Sequence, residues 1–265
     1  MKLLVSLFLI LLLILGCVGE KEETISIAGS TTVQPIMVKA ADEFMKKHPD
    51  IMVFVQGGGS GTGIRFVGEG TIDIGAASRE VTEEERKAYP NLVATPIALD
   101  GIAVIVNPEN PVNDLTLDQV RKIFAGEIRN WKEVGGEDAE IVVVIREEGS
   151  GTRKAFKELV LKDKDYAINA LQKQSNGAVR KAVAGNKNAI GYIGLGYVDN
   201  SVKALRIDGV VPTRENVKNG SYPISRKLYL ITNGQPQGIV KEFIDFALSE
   251  EGQRIVEEAG YISIK

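Results

Sequence analysis

The chain has 265 residues, room for one large domain or two small lobes, and its 44% hydrophobic and 25% charged residues belong to a folded globular protein. With 32 basic against 35 acidic residues the net charge is −3, which argues against a broad basic footprint for nucleic acid, and aromatics at 6% leave few stacking platforms. A single His and a single Cys exclude a Cys/His zinc site within one chain and any internal disulfide.

The N-terminus reads as an address. Lys2 precedes an apolar stretch, Leu3 to Gly16, broken only by Ser6. That is a signal-peptide h-region, shorter than the roughly 20 residues that span a bilayer. Residues 1–16 are therefore expected to be a signal peptide. Ile14-Leu15-Gly16-Cys17, followed by the polar run Glu20 to Glu23, resembles the lipobox of secreted lipoproteins. In that reading Cys17 carries a lipid that tethers the exported protein to the outer face of the cytoplasmic membrane, and 17–23 is a short linker. The competing reading is an uncleaved anchor helix.

From Thr24 on, strands and helices alternate. Strands are expected at Thr24–Ala28, Ile51–Val55, Ile72–Ala77, Leu92–Pro96, Ile102–Val106, Ile141–Ile145, Ala189–Ile193, Val202–Ile207 and Lys227–Thr232. Ile36, Met37, Ala40, Ala41, Phe44 and Met45 recur at helical spacing. Further helices are expected from Ile64, around Val120–Phe124, and over about 152–162, 165–173 and 175–184. A stripe over Ile239–Leu248 and a last helix capped by Ser249 complete the pattern. The βα order predicts an α/β fold with mostly parallel sheets.

One short motif recurs in a single context. Gly59-Ser60-Gly61-Thr62 and Gly149-Ser150-Gly151-Thr152 lie 90 residues apart, each between a strand and a helix. Gly29-Ser30-Thr31-Thr32 is a third relative. A helix start leaves about four N–H groups unpaired and carries roughly half a positive charge. Glycine permits close backbone approach, and Ser and Thr add uncharged donors. Any one such segment is commonly plain capping. Three of them, one preceded by Arg146, point to a shared site for a small anion.

Other chemistries fit poorly. No Gly-Lys pair exists for a P-loop, the glycines at 57–63 miss the dinucleotide spacing, and neither Ser60 nor Ser150 sits in a nucleophile elbow. His48, in the charged run Lys46 to Asp50, reads as a solvated helix end and not as a base. Asp73, Glu80, Glu83, Glu84 and Glu85 read as surface or capping groups.

Taken together, Ala28 to Pro35, Gly58 to Gly63, Asp73 to Glu80, Arg146 to Thr152, Leu115 to Val120, Ile123 to Gly126, Asn130-Trp131 and Ala189 to Tyr192 resemble the periplasmic phosphate-binding proteins of ABC importers, in order and over nearly the whole mature chain. The resemblance implies an α/β protein of two lobes, each a mostly parallel sheet flanked by helices, joined by two hinge strands (the type II class). Ile102–Val106 and Lys227–Thr232 would be the hinges, with lobe 1 at 24–104 plus 228–265 and lobe 2 at 105–227. Ser30, Thr31, Thr32 and Ser60 from lobe 1, and Ser150, Gly151 and Thr152 from lobe 2, would hold inorganic phosphate, with Gly59 in support. Arg146 would be the charged partner, held in place by Glu148.

One departure stands out: Ser78, followed by Arg79, takes the place of an aspartate that in the family accepts the proton of phosphate. Ser78 is expected to touch the ligand, and Arg79 either adds a second charge or points to solvent. The implied partners are phosphate, a membrane-embedded permease and, through Cys17, the membrane. No cofactor, metal or nucleic acid is implied, and a monomer is the natural form. The alternatives are a binder of sulfate, molybdate or another tetrahedral oxyanion, and a secreted serine hydrolase or phosphatase using Ser60 or Ser150.

Overall fold

The structure, a computed structural model, describes residues 23–265. The expected signal peptide and Cys17 lie outside the described residues. In chain order the main elements are β1 (Glu23–Gly29), α1 (Gln34–Lys47), β2 (Ile51–Gly57), α2 (Ser60–Gly68), β3 (Ile74–Ala77), α3 (Glu83–Ala88), β4 (Leu92–Val106), β5 (Asp114–Leu115), α4 (Leu117–Phe124), β6 (Val142–Arg146) and α5 (Gly151–Phe156), which runs on into one wide turn over Lys157–Leu161. They are followed by β7 (Leu171–Lys173), α6 (Asn176–Ala184), β8 (Ala189–Gly194), β9 (Lys203–Ala204), β10 (Arg206–Ile207), α7 (Arg214–Lys218), β11 (Ser225–Asn233), α8 (Gly238–Leu248) and α9 (Glu250–Glu258).

A mixed sheet runs β2-β1-β3-β11-β4-β8-β6-β7. Its two ends are parallel and its middle is antiparallel: β1 pairs with β2 and β3 in parallel, β6 with β7 and β8 in parallel, while β11 and β4 run antiparallel to their neighbours. Two large cores and two smaller ones fill the described residues. One large core gathers β1, β2 and β3 with α1, α8 and α9 around Phe44, Phe243 and Val256. The other gathers the second half of β4, β6 and β8 with α4 and α5 around Trp131, Phe124, Phe156 and Tyr192, with the Phe156 and Tyr192 rings stacked at 4.1 Å.

Local chemistry explains the helices. Pro35 lies in the first turn of α1, where a missing N–H costs nothing; the helix's apolar face buries Ile36, Met37, Ala40, Ala41 and Phe44, and Lys46 and Lys47 complement its C-terminal end. His48 closes that helix, stacked on Phe44 at 4.2 Å, as a helix end should. Ser249 caps α9 by accepting from the Gly252 N–H.

Four expectations change. Leu92–Pro96 and Ile102–Val106 are one unbroken strand, β4, which pairs with β11 up to Gly101 and with β8 from Ile102. β4 thus changes partner at Gly101–Ile102, and Tyr222 and Ile224, just before Ser225, pack in the core around Trp131. The helix expected over 165–173 is absent, and its end is β7, paired in parallel with β6. The apolar residues there mimic helical spacing, but Ile168 is fully exposed. Val202–Ile207 divides into two short strands with different partners, β9 on β4 and β10 on β5. Finally, α2 begins at Ser60 itself, ahead of Ile64.

Candidate functional site

The site lies where the C-terminal ends of the parallel strands of both lobes meet. From lobe 1, β1 ends at Gly29 and the chain turns through Ser30, Thr31 and Thr32 into α1. From lobe 2, β6 ends at Arg146 and turns through Ser150 into α5. Ser30, Thr31, Thr32, Ser60, Ser78, Arg146, Ser150, Gly151 and Thr152 are all buried. A cluster of polar side chains this deep needs partners, because an unpaired buried polar group costs about 1–3 kcal/mol.

The two repeated loops face each other across the lobe boundary. The Gly61 N–H donates to the Gly149 carbonyl at 3.1 Å, and Thr32 Oγ1 lies 3.1 Å from Thr152 Oγ1. Gly59 has φ of 90°, in the region that favours glycine, and a Cβ there would come within 2.8 Å of the Gly149 carbonyl. Gly151 is tighter still: a Cβ would fall 2.2 Å from Ser60 Oγ and 2.8 Å from Ser78 Oγ. Only a bare backbone lets α5 reach the lobe 1 hydroxyls. Replacing Gly151 by alanine will therefore hold the lobes apart. Affinity for the anion is expected to fall about tenfold or more, on the scale of overpacking penalties, with little change in thermal midpoint without ligand. Titration calorimetry and thermal melts check both halves.

The hydroxyls are oriented by backbone donors. Ser30 Oγ accepts from the Thr32 and Val33 N–H groups, and Ser150 Oγ accepts from the Arg153 N–H. Ser60 is not a cap; its Oγ accepts from the Ser78 N–H at 3.0 Å and lies 3.3 Å from Ser78 Oγ. An Oγ occupied as acceptor has its proton to give.

Arg146 brings the charge. Its Nε and Nη2 donate to Glu147 at 3.3 and 3.0 Å, and to the Lys173 and Gln174 carbonyls at 3.2 and 2.9 Å. These partners fix the plane of the fork and leave the Nη1 side for a ligand. The expected holder, Glu148, is corrected to Glu147: Glu148 is exposed in the turn, whereas the Glu147 N–H bonds the Lys173 carbonyl and directs its own side chain back to the arginine. Behind Arg146 the Arg146 N–H donates to Tyr192 Oη, which donates to Tyr166 Oη, which donates to the Arg153 carbonyl. The strand end is thereby tied to the start of α5.

Arg79 does not point to solvent. It is buried, and its guanidinium forks onto Glu85, Nη1 to Oε2 and Nη2 to Oε1, both at 2.7 Å. Glu85 also closes the capping box of α3 with Thr82. Burial raises the Glu85 carboxyl, but the bonds from Arg79 and the Thr82 N–H outweigh it and hold it below its ordinary value of 4.5. A carboxylate depressed in the folded state stabilises above its unfolded value and loses that contribution as pH falls through the folded one. The stability margin of the protein over its E85Q variant, read from urea melts, will thus be full at pH 6 and shrink progressively below about pH 4.5.

Three site-wall residues escaped the sequence. Asn176, fully buried at the start of α6, donates to Thr32 Oγ1 at 2.9 Å and to Thr31 Oγ1 at 3.3 Å. Asp100 on β4 and Arg226 on β11 form a buried ion pair at 2.7 Å, and Arg226 also donates to Thr32 Oγ1 at 3.3 Å. Burial pushes the Asp100 carboxyl above its ordinary value, and Arg226 and the Leu195 N–H oppose that rise. Ser175-Asn176-Gly177, a fourth strand-to-helix turn, was the available signal for Asn176. Nothing local announces the other two.

Two lobes exchanged through paired strands, with hydroxyls, helix starts and the oriented Arg146 converging between them, define a solute-binding protein that takes a small anion. A family model described as a PBP superfamily domain matches residues 18–251. The phosphate-binding protein PstS of Bacillus subtilis is 40% identical over 250 residues, covering 93% of this chain and 83% of the relative. That of Borreliella burgdorferi is 34% identical, covering 93% and 92%. Among solved structures, a putative phosphate ABC transporter substrate-binding protein with bound phosphate from Clostridium perfringens superposes with a TM-score of 0.88 at 46% identity, covering 92% of this chain and all of that one. An ABC-type phosphate transport receptor from Vibrio cholerae gives 0.76 at 40% identity, covering 90% and 99%. The chain belongs to the PstS family of phosphate-binding proteins, within the PBP superfamily.

Proposed function

We infer that this protein captures inorganic phosphate between its lobes and delivers it to an ABC importer, binding it without turning it over. The observation that carries the reading is the meeting of two Gly-Ser-Gly-Thr loops, one from each lobe, beside an arginine whose orientation is already fixed. Ser30, Thr31, Thr32, Ser60 and Ser78 are assigned as the lobe 1 contacts, and Arg146, Ser150, Gly151 and Thr152 as those of lobe 2. Gly59 gives the loops room to approach, and Glu147 holds the arginine. Charge-assisted hydrogen bonds to an anion sealed from water are the strong kind. Because each lobe holds half of them, the anion favours the closed state, and closure pivots where β4 and β11 cross between lobes.

Selectivity falls to Ser78. With its own proton given to Ser60 Oγ, its oxygen accepts the proton of hydrogen phosphate, which sulfate lacks at neutral pH. The protein is assigned an exported place, tethered by a lipid on Cys17, where it works as a monomer with a membrane-embedded permease. No helix of the described residues is long and apolar enough to cross a membrane. Isothermal titration with phosphate and then sulfate tests the reading. One-to-one phosphate binding with sulfate silent is expected. Equal binding of both would reduce the site to a general oxyanion clamp, and no heat from phosphate would overturn the assignment.

A further inference from the structure

Thr32 is the one proposed phosphate contact on which both lobes and the crossover strands converge. Asn176 Nδ2 donates to its Oγ1 at 2.9 Å and Arg226 Nη2 donates at 3.3 Å, while Thr152 Oγ1 stands at 3.1 Å. Amide and guanidinium nitrogens can only donate, and a hydroxyl oxygen has two lone pairs. With both pairs taken, the Thr32 proton can only point onward, to Thr152 Oγ1 or to an anion beside it. Thr152, having accepted, is left with its own proton to give.

Both donors are fixed from behind. The Gly194 N–H donates to Asn176 Oδ1 at 3.2 Å, which sets which way round the amide lies. Asp100 Oδ2 accepts from Arg226 Nε and Nη2 at 3.0 and 2.7 Å, and Asp100 Oδ1 accepts from the Leu195 N–H at 2.9 Å. Asn176 and Asp100 are fully buried, so water does not compete for these bonds. Asn176 belongs to lobe 2 and Thr32 to lobe 1, so the amide reaches the hydroxyl only when the lobes are together.

We propose that Asn176 and Arg226 are positioning residues: they orient the single Thr32 proton, which goes to phosphate directly or to Thr152 Oγ1, whose own proton then goes to phosphate, in the closed protein. The inference rests on the phosphate reading above. It makes closure itself a source of affinity, since one of the two orienting bonds is formed by closing.

A double-mutant cycle read by phosphate titration tests it. N176A and T32V are each expected to raise the phosphate Kd about tenfold or more. Because Asn176 acts through Thr32, the N176A/T32V double variant should bind within about twofold of T32V alone. A role confined to holding the fold would instead make the two losses multiply, and that result, or an unchanged Kd for N176A, overturns the proposal. Should N176A not fold, N176L, which fills the volume without a donor, is carried through the same cycle. If the unaltered protein fails to bind phosphate, the functional reading falls, and this inference with it. Binding by the unaltered protein with multiplying losses removes this inference alone.

Discussion

Replacing Arg146 by alanine will weaken phosphate binding about 100-fold or more, because hydrogen bonds to a charged group are worth about 1.5–3 kcal/mol and the loss has a second component. Glu147 is held by Arg146 through two contacts, at 3.0 and 3.3 Å. Without the guanidinium its carboxylate faces the anion with no cation between them. The loss should therefore exceed that of S60A, which removes one uncharged donor. Arg146→Lys keeps the charge but cannot bond Glu147, the Lys173 carbonyl and the ligand in one plane. It should fall between the two, about tenfold below the native protein. Titration calorimetry on the three variants, with thermal melts to show that each is folded, gives the order directly. Alanine and lysine variants that both bind like the native protein would place the anion elsewhere.

The second large effect is on stability. Asp100 and Arg226 are both buried, and their ion pair joins the two strands that cross between the lobes. Removing one member of such a pair leaves an uncompensated buried charge, at a cost of about 3–5 kcal/mol. Asp100→Ala does that to Arg226 and also strips the Leu195 N–H of its acceptor. Its thermal midpoint should fall more than that of any single hydroxyl variant in the site. The double replacement D100L/R226M exchanges the pair for apolar groups of similar reach and should recover much of the loss. Phosphate binding should not recover with it, because the donor to Thr32 is gone. A D100A protein as stable as the native one would mean that the pair contributes nothing to the joint between the lobes.

Much of this architecture can be read from residues alone, and the failures have a common cause. The strand-to-helix turns are local: glycine, serine and threonine at a helix start state their chemistry within a few positions, so Ser30, Ser60 and Ser150 were all identifiable. Glu147 and Glu148 are adjacent and chemically equal; what separates them is that β6 ends at Arg146 and the next N–H bonds a carbonyl of β7. That bond joins residues 26 positions apart. Asp100 and Arg226 are 126 positions apart. Arg79 looked available because its partner, Glu85, reads as an ordinary first-turn acid; the capping box that brings it back is visible in Thr82, but the fork it makes with Arg79 is not. The unbroken β4 illustrates the same limit. Pro96 and the Asp100-Gly101 pair read as breaks, yet the strand runs through them, and what changes at Gly101 is the neighbouring strand.

That change of neighbour gives the chain a modular layout. Gly101, the last residue of β4 to pair with β11, lies directly opposite Ser225, the first residue of β11 to pair with β4. Everything between them, residues 102–224, leaves β4 and returns to β11 at one point, and is proposed as an insert in the first lobe. A short hairpin turn from Gly101 to Ser225 would seal the first lobe without moving a strand. The second lobe is thus a cassette, and exchanging it between relatives would pair one protein's Ser30 loop with another's arginine across a joint whose strand register is already set.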